Sequence, residues 1–86
     1  MTLRLRERGL NWRQLDDELV VLDGGQATYL AINGSGARLW PALVEGTTLK
    51  DLASVLVDAY AIEEQEATRD AELFVAALSE QGLLAV

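Results

Sequence analysis

The apolar positions along the chain follow two periods in turn, first alternating and then helical. Asn11 to Leu15, Glu18 to Asp23 and Ala27 to Ile32 read as three short strands, separated by the turn-forming pieces Asp16-Asp17 and Gly24-Gly25-Gln26. Two tight turns joining three strands make an antiparallel meander. Leu19-Val20-Val21-Leu22 is apolar at every position and suits the central strand, whereas Thr28, Leu30 and Ile32 alternate with Tyr29 and Ala31. The third strand is therefore expected at a sheet edge.

After Asn33-Gly34-Ser35-Gly36 the period lengthens. Ala37, Trp40, Leu43 and Val44 recur at helical spacing until Gly46, which predicts a helix over 35–45, capped by Ser35 or Asn33 and kinked or tightly turned at Pro41. Thr48 and Asp51 resemble a capping box, and Leu49, Leu52, Ala53, Leu56 and Tyr60 form one stripe of a second helix over 49–59. A third helix over 63–81 opens on Glu63, Glu64 and Glu66, which suit a positive N-terminal end. It stops at Gly82, a left-handed cap that lets Leu83 close onto Leu78. With no repeat or linker, residues 1–86 read as one α+β domain, three strands followed by three helices.

Composition narrows what such a domain can do. A chain of 86 residues has room for one thin core, burying about 60–65% of its unfolded surface. No cysteine and no histidine are present, so disulfides, thiolate metal sites and the usual general base are closed to it, and neither a cofactor nor catalysis is expected. The net charge of −7 repels nucleic acid and anionic lipid, so neither is an expected partner. The charge is uneven: Arg4, Arg6, Arg8 and Arg13 face only Glu7 in the first thirteen residues, and the acidic excess lies beyond them. From Arg4 to Arg8 every second position is charged and no apolar run of signal-peptide length occurs, which predicts a cytoplasmic protein.

The residues that carry chemistry elsewhere have plainer roles here. Gly24-Gly25 and Gly34-Ser35-Gly36 fit no phosphate-binding fingerprint and read as turn and cap glycines. Asp16-Asp17-Glu18 reads as a hairpin turn and Glu63-Glu64-Gln65-Glu66 as a solvated helix start. Trp12 and Trp40 read as core. Tyr29 is different, since it stands on the strand face opposite Leu30 and Ile32 and either idles in solvent or meets a partner. On the third helix Ala67, Ala71, Phe74, Val75 and Leu78 supply a core face, with Asp70, Leu73 and Ala77 beside it. Periodicity alone favours Leu73 as a widening of that core stripe over Leu73, Phe74 and Ala77 as a groove floor.

Several runs together resemble the PqqD-like family: Trp12-Arg13-Gln14-Leu15-Asp16-Asp17-Glu18, Val20-Val21-Leu22-Asp23, Tyr29-Leu30-Ala31-Ile32-Asn33-Gly34-Ser35-Gly36-Ala37 and Leu39-Trp40. The likeness continues through Glu45-Gly46-Thr47, Leu52, Tyr60 and Asp70 to Leu78 and Gly82-Leu83-Leu84. Members are peptide-recognition domains of pathways that modify ribosomally made peptides. The resemblance implies a winged-helix-like fold in which the leader of a precursor peptide adds beside the third strand and packs on the third helix. Carried over, it assigns main-chain contacts to Ala27, Thr28, Tyr29, Leu30, Ala31 and Ile32, and a side-chain groove to Asp70, Leu73, Phe74 and Ala77. The Pro-Glu-Gly turn of the pyrroloquinoline quinone pathway member is replaced by Asp23-Gly24-Gly25-Gln26. The chain looks more like the stand-alone members that serve a cysteine leader peptidase in lasso-peptide pathways, with that peptidase or another modifying enzyme as its partner. The rivals are a winged-helix DNA-binding regulator, against which the acidic helices argue, a peptide chaperone of the pyrroloquinoline quinone pathway, and a scaffolding subunit.

Overall fold

The computed structural model describes residues 2–6, 8–16, 18–25 and 28–85, with Thr28 and Asn33 described through their backbone alone. Three strands, β1 (Leu10–Leu15), β2 (Glu18–Asp23) and β3 (Thr28–Asn33), are followed by three helices, α1 (Ser35–Glu45), α2 (Leu49–Tyr60) and α3 (Glu64–Glu80). The sheet runs in the order β1-β2-β3 with both pairings antiparallel. This is the α+β, winged-helix-like order of elements expected from the chain.

Register decides which side chains meet the helices. Leu19 stands opposite Gln14 and Ile32, and Val21 opposite Trp12 and Leu30. Leu19, Val21 and Ile32 are buried against Leu39, Trp40, Leu43, Leu52, Leu56 and Leu78. The other face of the sheet stays in solvent: Leu22 pairs with Tyr29 there, and both are exposed. β2 is thus central, as its composition requires, but its apolar residues are buried on one side only.

The helix ends show where local chemistry prevailed and where it did not. Thr48 Oγ1 accepts the Asp51 backbone N–H at 3.1 Å, the expected first half of a capping box. At the C-terminus of α3 the Leu83 N–H bonds the Leu78 carbonyl at 3.0 Å, and both side chains are buried. α1 differs from expectation. Its capping position falls on Gly34 at φ 62°, which has no side chain to offer, rather than on Asn33 or Ser35. It also runs unbroken through Pro41, with no separate turn, because an exposed proline forfeits one hydrogen bond and the packing of Leu39, Trp40 and Leu43 holds the helix.

Two aromatic expectations need correction. Tyr60, placed on the core stripe of α2, is exposed, and the Arg38 guanidinium lies 5.7 Å from its ring centre. Trp12, expected in the core, is 41% exposed, on the edge strand β1. It meets the buried Trp40 edge to face at 5.7 Å.

The first residues belong to the core, which the charge pattern concealed. Leu3 forms a bridge with Thr47 and Leu5 with Leu84, and Leu5 is buried. Leu3-Arg4-Leu5-Arg6 alternates with the period of a strand, turning leucines inward and arginines outward. No helix among the described residues is long and apolar enough to cross a membrane.

Candidate peptide-binding edge

β3 pairs with β2 on one side, and among the described residues no strand pairs with its other side. An unpaired strand side presents alternate N–H and C=O groups to whatever extended chain approaches. Period two then sorts the side chains of β3. Leu30 and Ile32 point to the helices, half-buried and buried, while Tyr29 at 71% exposure and Ala31 point away from them. Ala27 lies outside the described residues, and of Thr28 only the backbone is placed.

α3 flanks this edge through Phe74. The Phe74 ring reaches Gly36 at the start of α1, where Ile32 also packs, so helix, strand end and helix start meet at one point. Residues three and four positions away share a helix face. Asp70 and Ala77 therefore lie along the stripe of Phe74, with Leu73 one step around. Asp70, Leu73 and Ala77 are exposed and Phe74 is half-buried. Leu73 is 65% exposed, which sets aside its reading as a wider core stripe. Ala67, Ala71 and Leu78 fill the core side instead.

At the other end of β3 the gap to α3 narrows to a cleft of about 30 Å³ among Val21, Asp23, Tyr29, Leu30, Gln81 and Leu83. Asp23, Gln81 and Leu83 were not anticipated here. Asp23 ends β2, and it is only 4% exposed, with its Oδ1 accepting the Gly25 N–H at 3.0 Å. The Asp-Gly-Gly run was the available signal, since an aspartate before glycines commonly bonds the backbone two residues on. A roomier cleft of about 420 Å³ lies at the opposite edge, among Trp12, Leu19, Trp40, Pro41 and Val44. Strand addition needs no preformed cavity, so cleft size does not choose between the edges.

The site is therefore an open sheet edge beside a partly apolar helix, carried by a small winged-helix-like domain. The chain belongs to the PqqD family: the family model described as coenzyme PQQ synthesis protein D matches residues 18–84. Among solved structures it is similar to "Lasso peptide synthetase B1 complexed with the leader peptide", at 31% identity and a TM-score of 0.85 over 98% of both chains. It is also similar to "TbiB1 in Complex with the TbiA(beta) Leader Peptide", at 26% identity and a TM-score of 0.85 over 94% of this chain and 93% of that one. No curated protein matches the chain significantly. The family match begins at β2, whereas the structural likenesses take in β1 and, in the first case, nearly the whole chain.

Proposed function

We propose that this domain binds the leader segment of a ribosomally made precursor peptide as a fourth strand on β3 and presents it to a separate leader peptidase or modifying enzyme, of lasso-peptide type. The observation that carries the reading is the free side of β3 next to the exposed Leu73 stripe of α3. The two similar structures are, by their descriptions, leader-peptide complexes, which supports the same use of the fold here.

The energetics suit the task. Backbone groups of Thr28 to Ile32 give affinity to any extended chain, while the spaces beside Leu30, Phe74, Leu73 and Ala77 select alternate side chains of the leader. A dissociation constant between about a micromolar and tens of nanomolar is within reach of such a segment, on the order of −8 to −10 kcal/mol. No bond is made or broken. The domain acts by holding the precursor at high effective concentration near an enzyme.

Isothermal calorimetry tests the reading, with the synthetic leader of a short precursor to be sought in the neighbouring reading frames. Saturable binding, with chemical shifts moving in β3 and α3, is expected. Absence of heat at high micromolar protein would sink it. The charge of −7 predicts no DNA retardation even at low salt, and a retarded band that salt abolishes would favour the regulator instead.

A further inference from the structure

Three stretches distant in sequence meet at one guanidinium. Arg6 Nη2 donates to Asp23 Oδ1 at 2.6 Å, Nη1 to the Gly82 carbonyl at 3.0 Å and Nε to the Arg8 carbonyl at 3.0 Å. The backbone N–H of Arg6 also bonds the Leu83 carbonyl at 2.8 Å. Asp23 ends β2 directly opposite Thr28, the first residue of β3. Gly82 follows α3 and starts the turn that brings Leu83 back onto Leu78. One side chain thus ties the end of β2, on which the beginning of β3 is paired, to the turn that closes α3.

The beginning of β3 and the end of α3 are the two walls of the proposed peptide site. Where Arg6 holds them, the space between is the cleft of about 30 Å³, room for about one water molecule. At the Ile32 end the contact described is apolar, through Phe74 and Gly36. Arginine suits the role because its planar fork reaches two acceptors in fixed directions, while a lysine ammonium is a single point of charge.

We propose that Arg6 is a positioning residue for peptide binding: through Asp23 and Gly82 it sets the spacing between the start of β3 and the end of α3, and so presets the half of the site at Thr28 and Tyr29. The proposal rests on the leader-binding reading of the β3 edge. It makes the N-terminal arm a part of the binding apparatus, although that arm lies far from the edge in sequence.

The test separates local positioning from general softening. Calorimetry compares wild type, Arg6→Met, Arg6→Lys and Asp23→Asn against the synthetic leader that binds wild type in the test above and two shortened forms of it. One form lacks the residues that amide shifts map to Thr28 and Tyr29, and the other lacks those mapped to Ala31 and Ile32. Arg6→Met is expected to weaken the full leader and the second form by roughly tenfold, while binding the first form as wild type does. Arg6→Lys and Asp23→Asn should show the same end-dependence at smaller size, and they carry the test should Arg6→Met not fold. Equal weakening of both shortened forms, or no weakening at all, overturns the role of Arg6 while leaving the leader-binding reading standing. Failure of wild type to bind any of the three overturns both.

Discussion

The ring of Phe74 lies so close to Gly36 that a β-carbon there would stand 2.8 Å from Cε1, and 2.7 Å from Ile32 Cγ2. Neither neighbour is a loose chain end, since Ile32 is buried and Phe74 is packed against the core. Gly36→Ala would gain up to about 1 kcal/mol of helix propensity. The overpacking it causes costs about 1–3 kcal/mol, so a net loss of stability is expected. Urea unfolding of Gly36→Ala, Phe74→Leu and the double variant checks this. The smaller leucine should recover part of the loss, and additive losses would mean that the two residues do not press on each other.

Ala61 gives the opposite sign. It closes α2 at φ 53° and ψ 39°, with its N–H bonded to the Val57 carbonyl at 2.9 Å. The left-handed conformation costs a residue bearing a β-carbon about 1–2 kcal/mol, and glycine adopts it freely. Against this stands the greater backbone freedom of glycine in the unfolded chain, worth about 0.4–1 kcal/mol. Ala61→Gly is therefore expected to raise stability by about 0.5 kcal/mol, read as a higher urea midpoint at unchanged slope.

The elements were legible from periodicity because burial here is one-sided and regular. Leu19, Val21, Ile32 and the stripe Leu52, Ala53, Leu56 occupy the positions that alternation and helical spacing assign to a core. What escaped depends on neighbours distant in sequence. Nothing local marks Trp12 as half-open, because that follows from β1 lying at the edge of the sheet. Likewise the exposure of Leu73 depends on where Ala67, Ala71 and Leu78 direct α3, and a stripe of the same width fits either a thick core or a groove. Gly36 reads as a cap glycine until Phe74, thirty-eight positions on by residue number, is seen against it. The N-terminal arm is the clearest case: Leu3 and Leu5 alternate with Arg4 and Arg6, a pattern that fits a charged tail as well as a strand until Thr47 and Leu84 pair with it.

That arm yields a direct test of its structural weight. Leu5 is 3% exposed and lies between the α1 residue Leu43, whose carbonyl accepts its N–H at 3.1 Å, and its bridge partner Leu84. Truncating such a leucine to alanine costs about 2–5 kcal/mol, a large part of the total for a domain of this size. Leu5→Ala should therefore be partly unfolded at room temperature by circular dichroism. Arg4→Ala is the control, since its exposed guanidinium donates to the Glu45 carbonyl at 2.8 Å, and the loss of that bond should cost no more than about 1 kcal/mol.

The peptide site separates side-chain recognition from backbone recognition, and two exposed residues distinguish them. Leu73 is on the helix wall, where a leader side chain turned inward would lie against it, and Tyr29 is on the outer sheet face, where it meets only outward-turned side chains. Leu73→Arg keeps a good helix former at an exposed site, so stability should change by less than about 0.5 kcal/mol. It places a charge where an apolar leader side chain packs, so affinity is expected to fall by roughly tenfold or more. Tyr29→Ala leaves every backbone group of β3 in place, and its effect on affinity should be the smaller of the two, with some loss of strand propensity. Melting curves and calorimetry on the same preparations check both. If Tyr29→Ala proves the more damaging, the leader is read mainly from the outer face of the sheet; if neither variant weakens binding while both stay folded, the peptide lies elsewhere.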